Sequence, residues 1–172
     1  LGVLIAVSKC IVAMGRPIHI TSLDAHFRSP LYVNQVYNYV YDIIDGKEIY
    51  IEINYQSNIR TLITLRFDDK PIDKCVFKTD YSLVNINKQA FDRSLSEIIS
   101  FKETGEYSLY LKPGAIKYIE ELGIDKYVIC VMAFTSYLVG MRNPGKQALF
   151  EKLKINFEGS DDYTKTDYFI KT

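Results

Sequence analysis

Histidine and cysteine are the side chains best suited to bind a metal ion or act as a nucleophile, and this chain has few of either. Its two histidines, His19 and His26, are seven residues apart. In an extended segment that spacing places them about 23 Å apart, too far to be ligands of one metal ion. No cysteine lies near either histidine in the sequence. We therefore expect two exposed loop histidines, with no metal site and no catalytic role.

The three cysteines, Cys10, Cys75 and Cys130, form no C-x-x-C motif and admit two interpretations. In an exported protein, Cys75 and Cys130 would form a disulfide between two strands, and Cys10 would be left over. Alternatively, all three are small apolar side chains in a core. A nucleophilic cysteine would need a histidine positioned beside it, and the sequence indicates none.

The acidic and glycine-containing segments match none of the common ligand-binding motifs. Aspartates cluster within residues 68–73 and within residues 161–167. Neither run has the spacing of a calcium-binding loop, so we expect solvated charges in turns. The nine glycines form neither a phosphate-binding loop nor a dinucleotide-binding fingerprint, and no N-glycosylation acceptor is present. The sequence thus predicts a protein that is not an enzyme and carries no cofactor.

Length and composition indicate one globular domain without an electrostatic preference for polyanions. The chain has 172 residues, of which 48% are hydrophobic and 24% charged, with 21 basic and 21 acidic side chains. Zero formal charge argues against nucleic acid as a partner, because such binding depends on neutralising phosphates. It also removes the self-repulsion that opposes self-association. The fourteen tyrosines are typical of half-buried strands.

The first fifteen residues, LGVLIAVSKCIVAMG, are almost wholly apolar. The segment is too short to span a membrane and carries Lys9 near its middle. A signal-peptide core and a short pilin-type amphipathic helix are two interpretations, and the start at Leu instead of Met fits a trimmed chain or a removed leader. We favour a buried β-strand, because strands buried on both faces form continuous apolar runs rich in valine and isoleucine.

The rest of the chain alternates apolar and polar residues between turn signals, as strands do. We predict strands over residues 31–44, 47–56, 60–67, 74–83, 127–139 and 147–157. Asp45-Gly46 predicts a tight hairpin between the first two of these. The shared parity within the strands predicts the core residues: Ile49, Ile51, Ile53, Ile63, Leu65, Phe67, Leu109, Val128, Cys130, Met132 and Phe134.

The segments between these strands are predicted to be irregular or weakly helical. Residues 16–30 contain both histidines and are expected to form a loop or a short irregular strand. Residues 87–100 are the weakly helix-like stretch, and one or two helical turns over residues 115–122 would end at Gly123. Residues 160–172 are expected to be a polar tail.

Residues 103–109, E-T-G-E-Y-S-L, carry a local signature. The segment resembles the D-x-G-x-Y-x-C pattern that begins the F strand of immunoglobulin-like sandwiches. The resemblance implies that Tyr107 forms a tyrosine corner by bonding to backbone upstream, the alternative being an ordinary strand aromatic. Leu109 stands where the family has cysteine, so the resemblance implies a fold type only. Together with the strand spacing, it predicts a mainly β, antiparallel immunoglobulin-like Greek-key β-sandwich over residues 16–172, preceded by the apolar N-terminal strand of residues 1–15.

These features predict a non-enzymatic structural subunit of an extracellular or cell-surface assembly. Subunits of a pilus-like or other filament would be joined through strand exchange, in which the N-terminal segment enters a groove of the next copy. The residues expected to contact the neighbouring subunit are Leu1, Val3, Leu4, Ile5, Val7 and Ile11. The partner is then the protein itself, with no nucleic acid and no membrane span. The alternative is a monomeric binding or adhesion module for carbohydrate, protein or an apolar ligand, in which the N-terminal strand is internal.

Overall fold

The protein is mainly β, as the sequence predicts, with one large antiparallel sheet and one two-stranded ribbon. The structure, a computed structural model, describes residues 2–16, 18–32, 34–69, 94–100, 102–108, 121–139, 149–157 and 165–171. Its elements are α1 (Gly2–Met14), β1 (His19–Phe27), β2 (Asn38–Ile44), β3 (Glu48–Tyr55), β4 (Asn58–Asp68), α2 (Leu95–Ser100), β5 (Lys102–Ser108), α3 (Lys126–Tyr137), β6 (Lys152–Asn156) and β7 (Lys165–Lys171). The large sheet has five strands in the order β2-β3-β4-β1-β6.

Strands β2, β3 and β4 form a meander joined by two tight turns. The predicted hairpin is confirmed, since Asp45 and Gly46 both have positive φ angles, of 52° and 68°. Two consecutive positive φ angles match the right-handed twist of the flanking strands. The second turn, between the predicted strands 47–56 and 60–67, uses Gln56 and Ser57, with φ angles of 48° and 63°.

The side chains of β3 and β4 that were predicted to face the core do so. The two strands are in register, with Ile49 opposite Leu65 and Ile51 opposite Ile63. The six predicted core residues of these strands are all buried: Ile49, Ile51, Ile53, Ile63, Leu65 and Phe67. Tyr50 is on the other face, where it is only half-buried. A slip of one residue would reverse both faces, so the alternation determines the register.

Residues 16–30, expected to be a loop or irregular strand, contain β1, which lies between β4 and β6 inside the sheet. Ile20, Leu23 and Ala25 of β1 are buried. The register against β4 shifts between Ile20 and Ser22, so an extra residue changes the parity that faces the core. The bulge interrupts the alternation, and for that reason the sequence pattern did not indicate a regular strand.

The prediction of a strand over residues 1–15 is wrong, because Gly2–Met14 is the helix α1. The residues buried along it recur at helical spacing: Val3, Ala6, Val7, Cys10 and Ile11. The expected burial of its apolar side chains is thus correct in part, with Ile5 half-buried and Val12 exposed. Gly15 ends the helix with a φ of 67° and donates its N–H to the Val12 carbonyl at 3.1 Å.

The prediction of a strand over residues 127–139 is also wrong, because Lys126–Tyr137 is the helix α3. Val128, Cys130 and Met132 are buried as predicted, but on a helix, and Ile129 is buried beside them. The predicted core residue Phe134 is only half-buried. A short apolar run has no period that separates a buried helix from a buried strand. Gly123 has the positive φ, 65°, expected of a residue that ends a helix.

Helices α1 and α3 contribute to a single hydrophobic core with the sheet. The Ser8 hydroxyl of α1 donates a buried hydrogen bond of 2.5 Å to the carbonyl of Leu122, shortly before α3. The predicted immunoglobulin-like sandwich is not confirmed, since helices are what the structure describes on the apolar face of the large sheet. No helix in the described part of the chain is long and apolar enough to cross a membrane.

The second sheet pairs β5 with β7 in antiparallel fashion, so part of the predicted polar tail of residues 160–172 is a strand. Before β5, the short helix α2 begins with a capping box, in which the Glu97 carboxylate accepts the Ser94 N–H at 2.7 Å. Strand β6 lies inside the predicted strand 147–157, with Phe157 buried and Leu153 and Ile155 packed against the core. The predictions for residues 74–83, 115–120 and Leu109 lie outside the described residues.

Candidate ligand-binding cavity

A cavity of about 480 Å³ lies where the first turn of α1, the C-terminal half of α3 and the ends of β1 and β6 come together. Val3 and Ile5 of α1 line it on one side, and Met132 of α3 lines it on another. The connection between β1 and β2, residues 28–37, contributes Leu31 and other residues to the wall. Each wall therefore belongs to a different element, and the helices are positioned against the sheet by the shared core.

Most of the cavity wall is hydrocarbon. Phe27 at the end of β1 and Phe150 just before β6 stack in a tilted arrangement, with ring centroids 5.9 Å apart. Leu31, Met132 and Leu153 also contribute to the apolar wall. Apolar walls of this kind bind ligands by removing their hydrocarbon surface from water.

The connection between β1 and β2 is held in shape by the Tyr37 hydroxyl. This oxygen accepts the Tyr32 N–H at 2.6 Å and lies 2.9 Å from the Gln35 side-chain oxygen, to which it donates its proton. Asn34, between them, has a positive φ of 65°. The network places two amides and two phenols of this connection in the cavity wall.

Two hydroxyls of α3 also line the cavity. Thr135 donates its proton to the Val131 carbonyl at 2.8 Å, and Ser136 donates to the Met132 carbonyl at 3.0 Å. Because these protons are used inside the helix, the two oxygens face a ligand as hydrogen-bond acceptors. The amides of Asn34 and Gln35 carry N–H donors as well as acceptors. The cavity therefore offers both kinds of neutral hydrogen-bonding group.

Ionisable acids and bases other than tyrosine do not occur among the described lining residues. The wall contains no carboxylate, imidazole, amine or thiol from the part of the chain that the structure describes. Acid–base or nucleophilic catalysis uses such groups at hydrogen-bonding distance from the substrate. The described lining thus offers mainly neutral hydrogen-bonding groups, and its ionisable side chains are tyrosines.

A second groove, of about 460 Å³, runs between α1 and β2 and shares Tyr37 and Tyr39 with the cavity. The Lys9 ammonium lies 5.5 Å from the centroid of the Tyr39 ring, a cation–π arrangement. Burial raises the pKa of Tyr39, and the neighbouring Tyr37 raises it further. Burial also raises the pKa of the Cys10 thiol in this groove to about 11. The thiol therefore stays protonated near neutral pH and is a poor nucleophile.

The two histidines lie outside the cavity, on β1 instead of the expected loop. The imidazole Nδ1 of His19 is 3.5 Å from the carboxylate of Asp125, which is buried just before α3. His26 is exposed as expected, and its Nε2 is 3.3 Å from the carboxylate of Asp24. Among the described residues, no group of three or more His, Cys, Asp or Glu side chains could hold a metal ion.

The residues predicted to contact another subunit lie mostly within the protein's own core. Val3, Val7 and Ile11 are buried there, while Leu4 and Ile5 are half-buried. Leu1 lies outside the described residues.

Two further predicted site features stay predictions. Cys130 is buried in α3, but Cys75 lies outside the described residues, so the disulfide between them is untested. Tyr107 lies in β5 opposite Thr166 of β7, and its corner hydrogen bond rests on a side chain that is not described.

The sequence did not indicate the cavity, because its walls come from segments far apart in the chain. One local signal was present, the aromatic- and amide-rich run 31–37. The prediction of a strand over residues 31–44 is wrong for this part, because β2 begins only at Asn38. Comparison with known proteins identifies no relative: no protein-family model, curated protein or solved structure matches the chain. Function is therefore inferred from the geometry of this molecule.

Proposed function

We propose that this protein binds an uncharged, largely apolar small molecule in the cavity between α1, α3 and the sheet, and does not transform it. The observation that carries the proposal is the cavity itself, with about 480 Å³ of space and a mainly hydrocarbon wall. Small-molecule sites typically have volumes of about 300–1,000 Å³ and combine such walls with a few polar groups. The protein would thus be a binding module, with Asn34, Gln35, Thr135 and Ser136 orienting the ligand.

The preference for an uncharged ligand follows from the cost of desolvation. An ionised group moved from water into an apolar site loses its hydration and needs an opposite charge nearby. The described lining residues of the cavity supply amides and hydroxyls but no such charge. A long-chain alcohol should therefore bind more tightly than the carboxylate of equal chain length.

The test uses the purified full chain and a fluorescent apolar probe whose emission rises when it leaves water. We expect saturable binding, and displacement of the probe by a long-chain alcohol at lower concentration than by the matching carboxylate. Equal displacement by both competitors would contradict the assignment of a neutral site. Failure of the probe to saturate would contradict the cavity as a binding site.

A pair of tryptophan variants locates the binding site. Met132→Trp places a larger side chain in the cavity wall, whereas Val12→Trp adds the same ring at a position of α1 that is 71% exposed. We expect affinity to fall at least about tenfold, or about 1.4 kcal/mol, in Met132→Trp and to be unchanged in Val12→Trp. Circular dichroism checks that both variants fold. Equal affinity in the two variants would place the ligand elsewhere.

Assembly through strand exchange is the second candidate function. If the N-terminal segment were the exchanged strand, α1 would have to leave the core and expose Val3, Val7 and Ile11, which are buried. Exposing side chains of this size costs about 1.5–3 kcal/mol each, which disfavours that form. What favours assembly by another route is the exposed apolar edge strand β2. The extracellular or cell-surface location stays a proposal as well.

A further inference from the structure

Strand β2, Asn38–Ile44, forms one edge of the five-stranded sheet and presents apolar side chains to solvent. Val40 is 55% exposed, Tyr41 41%, Ile43 44% and Ile44 43%. Tyr41 and Ile43 lie opposite the buried Ile51 and Ile49 of β3, so they extend the helix-covered face of the sheet. Val40 and Ile44 lie on the opposite face. Both faces of the edge are therefore partly apolar.

Three features that commonly protect an edge strand do not occur in the described strand β2. Edge strands are commonly blocked by lysine, by proline or by a bulge that twists the edge away. Strand β2 has neither lysine nor proline, and Asp42 is its single charged residue. Its pairing with β3 has no register shift, in contrast to the pairings of β4 with β1 and β3. Strand β2 thus presents a regular edge that can accept another strand.

The opposite edge of the sheet is different. Strand β6 carries Lys152 and Lys154 at alternate positions, and both are exposed. Regularly spaced lysines on an edge oppose the approach of a second strand. Strand addition at β2 alone would therefore stop after one partner, whereas two open edges would allow an open-ended sheet.

We propose that β2 pairs antiparallel with β2 of a second copy of this chain, about a two-fold axis that passes through Tyr41. In this register Tyr41 lies opposite Tyr41 of the partner subunit, and Tyr39 lies opposite Ile43 of the partner subunit. Val40 lies opposite Asp42 of the partner subunit. All seven residues of β2 are paired, and the helix-covered faces of the two sheets become one continuous surface.

Charge and pairing select this register over its neighbours. If the two-fold axis moves one residue toward Ile44, Asp42 lies opposite Asp42 of the partner subunit. Like charges directly opposite each other are destabilising. If the axis moves one residue toward Asn38, Ile43 and Ile44 extend past the end of the partner's β2 and have no residue of that strand opposite them. The zero formal charge of the chain imposes no long-range repulsion between two copies. A second copy of β2 is therefore a suitable partner for this edge. In the proposed register, apolar side chains of one copy lie opposite apolar side chains of the other on the helix-covered face, and no two like charges lie opposite each other.

The experiment measures mass by sedimentation equilibrium from micromolar to submillimolar concentration. Tyr41→Lys and Tyr41→Glu each place two like charges on the two-fold axis. We expect the unsubstituted chain to be a dimer, and each variant alone to dimerise at least about tenfold more weakly. Mixing the two variants should restore a dimer, because opposite charges then face each other across the axis. The control is Val36→Lys, at a position 87% exposed just before β2, which should leave the dimer intact.

Several outcomes overturn the proposal. The proposal is wrong if the unsubstituted chain is monomeric at submillimolar concentration. It is also wrong if both Tyr41 variants dimerise as strongly as the unsubstituted chain. Absence of the mixed dimer overturns the register, and so does loss of the dimer in Val36→Lys. If the Tyr41 variants do not fold, Val40→Glu and Val40→Lys replace them, because each adds one charge to the edge opposite Asp42 of the partner subunit. Val40→Glu should dimerise more weakly than Val40→Lys, and equal association of the two variants contradicts the pairing. Binding of the apolar probe is measured separately, so failure of one proposal does not imply failure of the other.

Discussion

The buried thiol of Cys10 should make the folded protein less stable as the pH rises into the alkaline range. Cys10 is buried between α1 and the sheet, and burial raises its pKa from the ordinary 9.0 to about 11. In the unfolded chain the thiol ionises at its ordinary pKa, whereas in the folded protein it keeps its proton. The stabilising contribution is therefore fully present below about pH 9 and is lost as the pH rises toward about 11.

The size of this loss follows from the two pKa values. One pKa unit corresponds to about 1.4 kcal/mol, so a shift from 9.0 to about 11 corresponds to at most about 3 kcal/mol of unfolding free energy, and to less where solvent in the groove screens the thiol. Cys10→Ala should cost about 1–2 kcal/mol near neutral pH, since it removes a buried side-chain atom. The variant should lose correspondingly less stability at high pH, although the raised pKa of Tyr39 leaves both proteins some alkaline dependence.

Urea unfolding followed by far-ultraviolet circular dichroism measures this difference. The unfolding free energies of the unsubstituted chain and of Cys10→Ala are compared at about pH 8 and about pH 11. We expect the two values to converge as the pH rises, because only the unsubstituted chain carries the buried thiol at this position. Parallel losses of stability in both proteins would refute the assignment of the alkaline loss to Cys10.

Three further predictions concern the core, the link between the helices and the second turn, and all are measured by urea unfolding. Ile63→Ala should cost about 2–5 kcal/mol and Tyr50→Ala much less, and the reverse order would mean that the sheet faces are misassigned. Ser8→Ala leaves the buried Leu122 carbonyl without its hydroxyl donor and should cost about 1–3 kcal/mol, whereas an unchanged stability would argue against that bond. Ser57→Gly relieves a positive φ of 63°, which costs an L-residue about 1–2 kcal/mol, against an unfolded-state entropy loss of about 0.4–1 kcal/mol. The net effect should be a stabilisation of up to about 1 kcal/mol, with destabilisation as the contrary result.

The part of the fold that sequence could predict is the part in which several local signals agree. In β3 and β4, alternation, β-branched residues and the turn at Asp45-Gly46 all indicate a hairpin meander, and the parity of Ile49 and Leu65 is correct. In residues 1–15 and 127–139 the signals disagree, because valine and isoleucine favour strands while the buried positions follow a helical period. Burial was predicted there, but the secondary structure was not.

The cavity could not be predicted, because it depends on tertiary packing. Met132 lines it only because residues 126–137 are helical, and Phe27 lines it only because β1 is a regular strand at that end. Both elements were misassigned from sequence. The aromatic and amide residues of the 31–37 run fall within a predicted strand, and their role as one cavity wall depends on where α1 and α3 lie.

The position of β1 has a consequence for the order in which the protein folds. The meander β2–β4 consists of neighbours in sequence and can form early at small entropic cost. Strand β1 is synthesised before all of these strands, yet its second neighbour is β6, where Ser22 pairs with Asn156. During translation β1 can pair with β4 while its other side stays open until residues 152–156 emerge from the ribosome. A nascent chain would expose that unpaired side until then, so transient chaperone contact should concentrate on β1.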